Sequence, residues 1–322
     1  MKNLIALFLF VSAAHAGANE IYTPQAIRTS GLGFNDATVA RLEKNVHRLK
    51  MDPDVPTSYC TAFPVTPDGY LLTALHCVRA CLVELGKVDE AGNDYLGLKD
   101  LAVIHNPDKT DAVCEKFQVP ALGVTGNIKV VATGSALTLY SRELLHDNSG
   151  LMQQLRDRGW DRKSNDFALL KIESQAPISC LRMNTQRLMG GQEVWSVGYP
   201  MKAKPTDEPE LSASRGRLFS RPEDSQTYQG QPTQEDREWV RAQFGAANLI
   251  FSSAANTFGQ SGGPIVDASG AVIGITSGFA SPPKGKGNAV HELVGTNIVN
   301  VLRSLPRELS ATLLKGNDSC QQ

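Results

Sequence analysis

Residues 259–266 read Gly259-Gln260-Ser261-Gly262-Gly263-Pro264-Ile265-Val266. A hydroxyl between glycines, followed at once by Pro and a branched apolar pair, describes a tight turn entering a β-strand. Glycine at these places lets the chain come close to a bound carbonyl group, and the N–H groups of Gly259 and Ser261 can point at an oxygen that gains negative charge.

Working outward, two more islands have matching character. Upstream lies Leu71-Leu72-Thr73-Ala74-Leu75-His76-Cys77, and between the two lies Asn165-Asp166-Phe167-Ala168-Leu169-Leu170. They supply a His, an Asp and a Ser in that chain order. A serine hydroxyl is a poor nucleophile at neutral pH. An imidazole beside it can take the proton and return it to a leaving amine, and a buried carboxylate holds that imidazole in the required tautomer. A lone His next to Cys is commonly structural, and a lone Asp before an apolar run is commonly a turn residue. The conjunction of the three islands carries the reading of His76, Asp166 and Ser261 as a catalytic set. The pattern Gly-x-Ser-x-Gly also suits the nucleophile elbow of α/β-hydrolases, with Asp267 and His291 following in that fold's order. An elbow joins a strand to a helix, whereas Gly263-Pro264 leads into a strand-like run, so that alternative is set aside.

The rest of the chain reads as many short strands. Tyr59–Val65, the turn Thr66-Pro67-Asp68-Gly69, and Tyr70–Thr73 form strand, turn, strand. Further strands are expected at Ala102–His105, Lys129–Thr133, Ala136–Tyr140, Phe167–Ile172, Glu193–Val197, Ala247–Ser252, Pro264–Val266, Ala271–Ser277 and Ala289–Val294. This texture is that of an all-β barrel or sandwich. A helix is expected from Asp36 to Leu49, with Val39, Leu42, Val46 and Leu49 at near-helical spacing, and two more follow at the C-terminal end, Asn297–Leu305 and Arg307–Leu314, divided by Pro306. Ser141–Lys163 and Arg221–Phe244 look like surface insertions.

Composition narrows the function classes. Among 322 residues, 32 basic side chains nearly balance 33 acidic ones, which argues against general nucleic-acid binding. Residues 1–16 combine Lys2, the apolar run Leu4–Val11 and Ala14-His15-Ala16, the three parts of a secretory signal peptide. That run is too short to span a bilayer, so no membrane anchor is expected after cleavage. Export to a periplasmic or extracellular space follows, and six cysteines (Cys60, Cys77, Cys81, Cys114, Cys180, Cys320) agree with it. They allow fifteen pairings, which the sequence alone leaves open. No metal is expected, because Cys77 and Cys81 have no matching second pair, and no cofactor is expected. Residues 17–50 form an N-terminal lead and a propeptide candidate; 51–322 form the main domain.

The islands resemble the trypsin-like serine proteases with the double β-barrel fold. The matching residues are Thr73–Cys77, Asp166–Leu170 and Gly259–Pro264, supported by Val197-Gly198-Tyr199-Pro200 and Val272-Ile273-Gly274-Ile275. The resemblance spans about Asn45 to Leu305. It implies two antiparallel six-stranded β-barrels with the active site between them, a C-terminal helix, and endopeptidase activity on protein or peptide substrates through an acyl-enzyme. It puts the oxyanion donors on Gly259 and Ser261, a bridge on Cys60 and Cys77, and a serine supporting the buried Asp on Ser277. It also puts Cys180 on the connection between barrels with Cys320 near it, which leaves Cys81 and Cys114. The substrate pocket falls on Ala255, Thr276, Ser277, Gly278 and Phe279. Animal-type members carry Asp before the nucleophile where this chain has Gln260, which favours the bacterial branch; only 61 residues follow Ser261, too few for the peptide-binding domain that some bacterial members append. The competing expectation is a catalytically silent, protease-like binding module.

Overall fold

The strand–turn–strand of residues 59–73 opens the first of two antiparallel sheets in the computed structural model of the chain, which describes residues 21–22, 33–52, 54–55, 59–84, 112–134, 165–201, 209–229, 234, 237–238, 241, 249–280 and 292–320. The two-residue strand β1 (Ile21–Tyr22) joins the second sheet. The first sheet comprises β2 (His47–Lys50), β3 (Tyr59–Pro64), β4 (Tyr70–Thr73), β5 (Ala112–Cys114), β6 (Gln118–Val119), β7 (Val124–Thr125), β8 (Ile128–Thr133) and β9 (Ala168–Lys171). Their order is β5-β8-β9-β4-β3-β2-β6-β7. The second sheet adds β10 (Glu193–Gly198), β11 (Ser212–Arg217), β12 (Leu249–Ala255), β13 (Pro264–Val266), β14 (Val272–Ala280) and β15 (Glu292–Asn297), ordered β1-β11-β10-β13-β14-β15-β12. Leaving aside the two-residue strands β1, β6 and β7, each sheet has six strands, as the resemblance implies. The first curls into a half-barrel. The second nearly closes, because Leu218, just past β11, bridges Ser252 of β12.

The packing explains why several strands read as unbroken apolar runs. Ala62 of β3, Leu71 of β4 and Ala168 and Leu170 of β9 fill the first sheet's interior with Leu49, Ile128 and Val130. Their chain neighbours Phe63, Leu72, Phe167 and Leu169 point the other way, into a layer that also holds Trp195, Val197, Val266 and Ile275 of the second sheet. Strands buried on both faces show no polar alternation. A smaller cluster of Val194, Ile250, Ala254, Ile265, Ile273 and Leu293 fills the second sheet.

The N-terminal lead is part of this layer. Helix α1 (Asp36–Asn45) starts at Asn35, whose Oδ1 accepts the Thr38 N–H at 2.8 Å. It buries Val39 and Leu42 beside Phe34, whose ring lies 4.3 Å from the Trp195 ring, centroid to centroid. The helix ends earlier than the spacing suggests. Val46 is its extended C-cap, and residues 47–50 become β2, paired with Tyr59–Ala62. Leu49 fits both periods; the cross-strand bonds to β3 decide for the strand.

Helix α2 (Leu75–Glu84) follows β4 and was not foreseen in the sequence. At the other end, Asn297 caps α3 (Ile298–Ser304), and Pro306 separates it from α4 (Arg307–Asn317). The bonded cysteine pairs are Cys60–Cys77, Cys81–Cys114 and Cys180–Cys320. The signal segment 1–16, the expected strands Ala102–His105 and Ala136–Tyr140 and the insertion Ser141–Lys163 lie outside the described residues.

Candidate active site

His76 sits in the first turn of α2, its side chain 36% exposed. Asp166 immediately precedes the Phe167 run and is buried, because β9 lies between the two apolar layers. The two side chains meet: Nδ1 of His76 lies 2.8 Å from Oδ2 of Asp166. The other carboxylate oxygen, Oδ1, accepts the His76 backbone N–H at 3.1 Å. Since a carboxylate only accepts, Nδ1 carries the ring proton, and the lone pair falls on Nε2. Burial of the ring works against its charged form, but the Asp166 carboxylate outweighs this through charge and hydrogen bond, holding the His76 pKa above the ordinary histidine value.

Asp166 is fixed from behind by the second sheet. Its backbone N–H donates to Thr296 Oγ1 at 3.1 Å, and that hydroxyl shares a hydrogen bond with Ser277 Oγ at 3.0 Å. Ser277 therefore reaches the acid through Thr296, a residue that sequence reasoning passed over.

Ser261 lies in the turn before β13. Its carbonyl accepts the Thr61 N–H at 2.8 Å, and the Cys77 sulfur is 3.8 Å from the same oxygen. The serine turn is thus docked on the disulfide that flanks His76. Gly262 has φ of +81°, and a Cβ there would come within 2.2 Å of Thr73 Oγ1 and 2.3 Å of Thr61 O. Only glycine permits this contact between the serine turn and the strands leading to His76. Gly259, at φ +87°, has its carbonyl held by the Thr61 hydroxyl at 2.9 Å.

The expected pocket residues line up on two strands. Ala255 ends β12; Thr276, Ser277, Gly278 and Phe279 lie in β14, and the Phe279 side chain is outside what is described. Thr276 is buried and bonded to Ser196 Oγ at 3.1 Å. Two further side chains were missed in the sequence. Asn256, buried, donates from Nδ2 to Gly278 O at 2.8 Å and so ties the end of β12 to β14. Glu292, also buried, is the cross-strand partner of Ala255, and its Oε2 accepts from Ser225 Oγ at 2.9 Å. It reaches Ala255 from β15, some forty residues away in the chain, so no local pattern around Ala255 announces it.

Among the described residues one group could be taken for metal donors, Cys60, His76 and Cys77, whose donor atoms lie within 4.8 Å of one another. Both sulfurs are bonded to each other, so neither is a thiolate, and the group does not fit a metal. Of the other histidines, His47 is buried in β2, and His15, His105, His146 and His291 lie outside the described residues.

The family model of the trypsin-like peptidase domain matches residues 60–275. No curated protein matches the chain. Among solved structures, the active form of the Rv3671c protease from M. tuberculosis is similar at 14% identity and a TM-score of 0.41, with 89% of this chain and 86% of that one covered. The inactive form of the Rv3671c protease gives 15% identity and a TM-score of 0.42, covering 84% of this chain and 92% of that one. A serine endoprotease from Yersinia pestis gives 14% identity and a TM-score of 0.42, covering 86% and 65%.

Proposed function

The chain belongs to the trypsin-like peptidase domain family, and from that premise we propose that it is a serine endopeptidase working through His76, Asp166 and Ser261. The observation that carries the reading is the bond between His76 Nδ1 and Asp166 Oδ2, in a site where the Ser261 turn is docked against the His76 disulfide.

In this mechanism His76 Nε2 takes the Ser261 hydroxyl proton as Oγ attacks the peptide carbonyl. Charge that forms on the imidazolium is stabilised by the buried carboxylate. Charge that forms on the carbonyl oxygen is met by the N–H groups of Gly259 and Ser261. The imidazolium returns its proton to the leaving amine, the acyl-enzyme remains on Ser261, and water resolves it by the same steps in reverse order.

Three disulfides support an oxidising, exported location, periplasmic or extracellular. No helix among the described residues is long and apolar enough to cross a membrane. The substrate is a protein or peptide, with a small or medium uncharged residue before the scissile bond. Labelling with a fluorophosphonate tests the whole reading. The native chain is expected to react at Ser261 and Ser261→Ala to stay unlabelled while folded. A native chain that stays unlabelled would make it a protease-like binding module instead.

A further inference from the structure

The peptide joining Phe258 to Gly259 decides whether the oxyanion site exists. In a trans peptide the C=O and N–H point in opposite directions. Phe258 O accepts the Met201 N–H at 2.7 Å, so the Gly259 N–H is turned to the other side. Residues 199–201 therefore form the backing of this turn. They press directly on it: a Cβ on Gly259 would lie 2.4 Å from Tyr199 O and 3.0 Å from Met201 N.

Tyr199 is tied at both ends. Its backbone N–H donates to Thr61 Oγ1 at 3.1 Å, and that same hydroxyl donates to Gly259 O at 2.9 Å. Its phenol reaches the other way and donates to Val46 O at 3.2 Å, at the C-cap of α1. Helix α1 is itself fixed to the second sheet's side. Val39, Leu42 and Val46 are buried with Trp195, and Arg41 donates to Ser269 O at 2.6 Å.

Residue 260 explains why such a tie is needed. Its side chain is buried, and among the described residues Oε1 accepts only the local Thr257 N–H at 3.0 Å. A neutral amide offers no charge that could hold the turn through a buried ion pair, so the turn depends on its backbone contacts with residues 199–201. We propose that Tyr199 is a positioning residue for the oxyanion turn, and that through it the segment 33–50 holds the turn in working geometry without any cleavage. Residues 33–50 are then a retained part of the enzyme and not a removable cover. The proposal rests on the endopeptidase reading above.

The test compares the native chain with Tyr199→Phe, and with Tyr70→Phe as a control. The readings are kcat and KM on a peptide ester, the affinity of a peptide boronate, whose oxygen occupies the oxyanion site, and the affinity of the product peptide. Removing an oxyanion donor outright costs on the order of 10²–10³ in kcat, so letting one drift is expected to cost about tenfold. Tyr199→Phe is expected to lower kcat by that factor with KM within about twofold, and boronate affinity to fall in step while product affinity stays level. Unchanged kcat and boronate affinity would overturn the proposal. So would a kcat loss matched by an equal loss of folded protein, or an equal weakening of product and boronate. A native chain without activity on the ester would instead count against the endopeptidase reading itself.

Discussion

Both oxygens of Asp166 are engaged by the same residue: Oδ2 by the His76 ring at 2.8 Å and Oδ1 by the His76 backbone N–H at 3.1 Å. The ring cannot swing away without breaking one bond, and the helix start cannot shift without breaking the other. Asp166→Asn would keep the shape but present an N–H to Nδ1, forcing the wrong tautomer. A loss on the order of 10⁴ in kcat with little change in KM is expected. Steady-state kinetics on a peptide ester checks it; a mild effect would move the acid elsewhere.

The raised pKa of His76 sets a pH window. With His76 as the proposed base, free enzyme acts only with the ring neutral, so the acid limb of kcat/KM is expected above the ordinary histidine value of about 6.5. The same shift stabilises the fold below the unfolded-state value of about 6.5, and the gain disappears as pH rises through the folded-state value. A kcat/KM profile with its acid limb below 6.5 would contradict this.

His47 works in the opposite direction. Burial in β2 lowers its pKa to about 4, because the charged ring is cut off from water. Below about 6.5 the unfolded chain takes up a proton that the folded one refuses, so stability falls steadily as pH drops toward 4. The size is about 3 kcal/mol. Thermal melts between pH 4 and 7 should flatten in His47→Leu relative to the native chain; parallel curves would refute the assignment.

Two of the disulfides differ in what they protect. Cys60 and Cys77 are 17 residues apart, Cys180 and Cys320 140 apart. Chain-entropy arguments give about 3 and about 5 kcal/mol respectively. Cys180→Ser/Cys320→Ser is thus expected to cost more in urea unfolding. Cys60→Ser/Cys77→Ser is expected to cost more activity per folded molecule, since that bridge carries the Ser261 turn. The reverse ranking would break the link between bridge and site.

A peptide library tests the pocket. Ala255 and Thr276 offer no charge of their own, and preference for small or medium uncharged residues before the cut is expected. A strong preference for Arg or Lys, lost in Glu292→Gln, would transfer specificity to the carboxylate opposite Ala255.

The sequence made some of this visible and hid the rest for identifiable reasons. Strand β13 was legible to the residue, since Pro264 opens it and the Asp267 turn closes it. His76 and Asp166 were set together by the conjunction of their islands with the Ser261 turn, and their side chains lie 2.8 Å apart. Strand β11, Ser212-Ala213-Ser214-Arg215-Gly216-Arg217, was not. It packs so closely on β12 that a Cβ at Gly216 would fall 2.0 Å from Ala254 N. Close packing demands small residues, and small residues erase the hydrophobic signal. The hydrogen bonds of the Thr61, Tyr199 and Thr296 hydroxyls were equally silent, because a hydroxyl's partner is set by tertiary contact and leaves no pattern along the chain.

The bridge from Cys180 to Cys320 encloses every strand from β10 to β15 and both C-terminal helices in one covalent ring. A proteolytic enzyme is always in the company of its own kind, and its exposed turns are within reach of neighbouring copies. A single autolytic nick within residues 181–319 opens the ring but frees no fragment. The two pieces stay joined through sulfur and can remain packed, so molecular damage of that kind leaves a nicked barrel in place of a lost one.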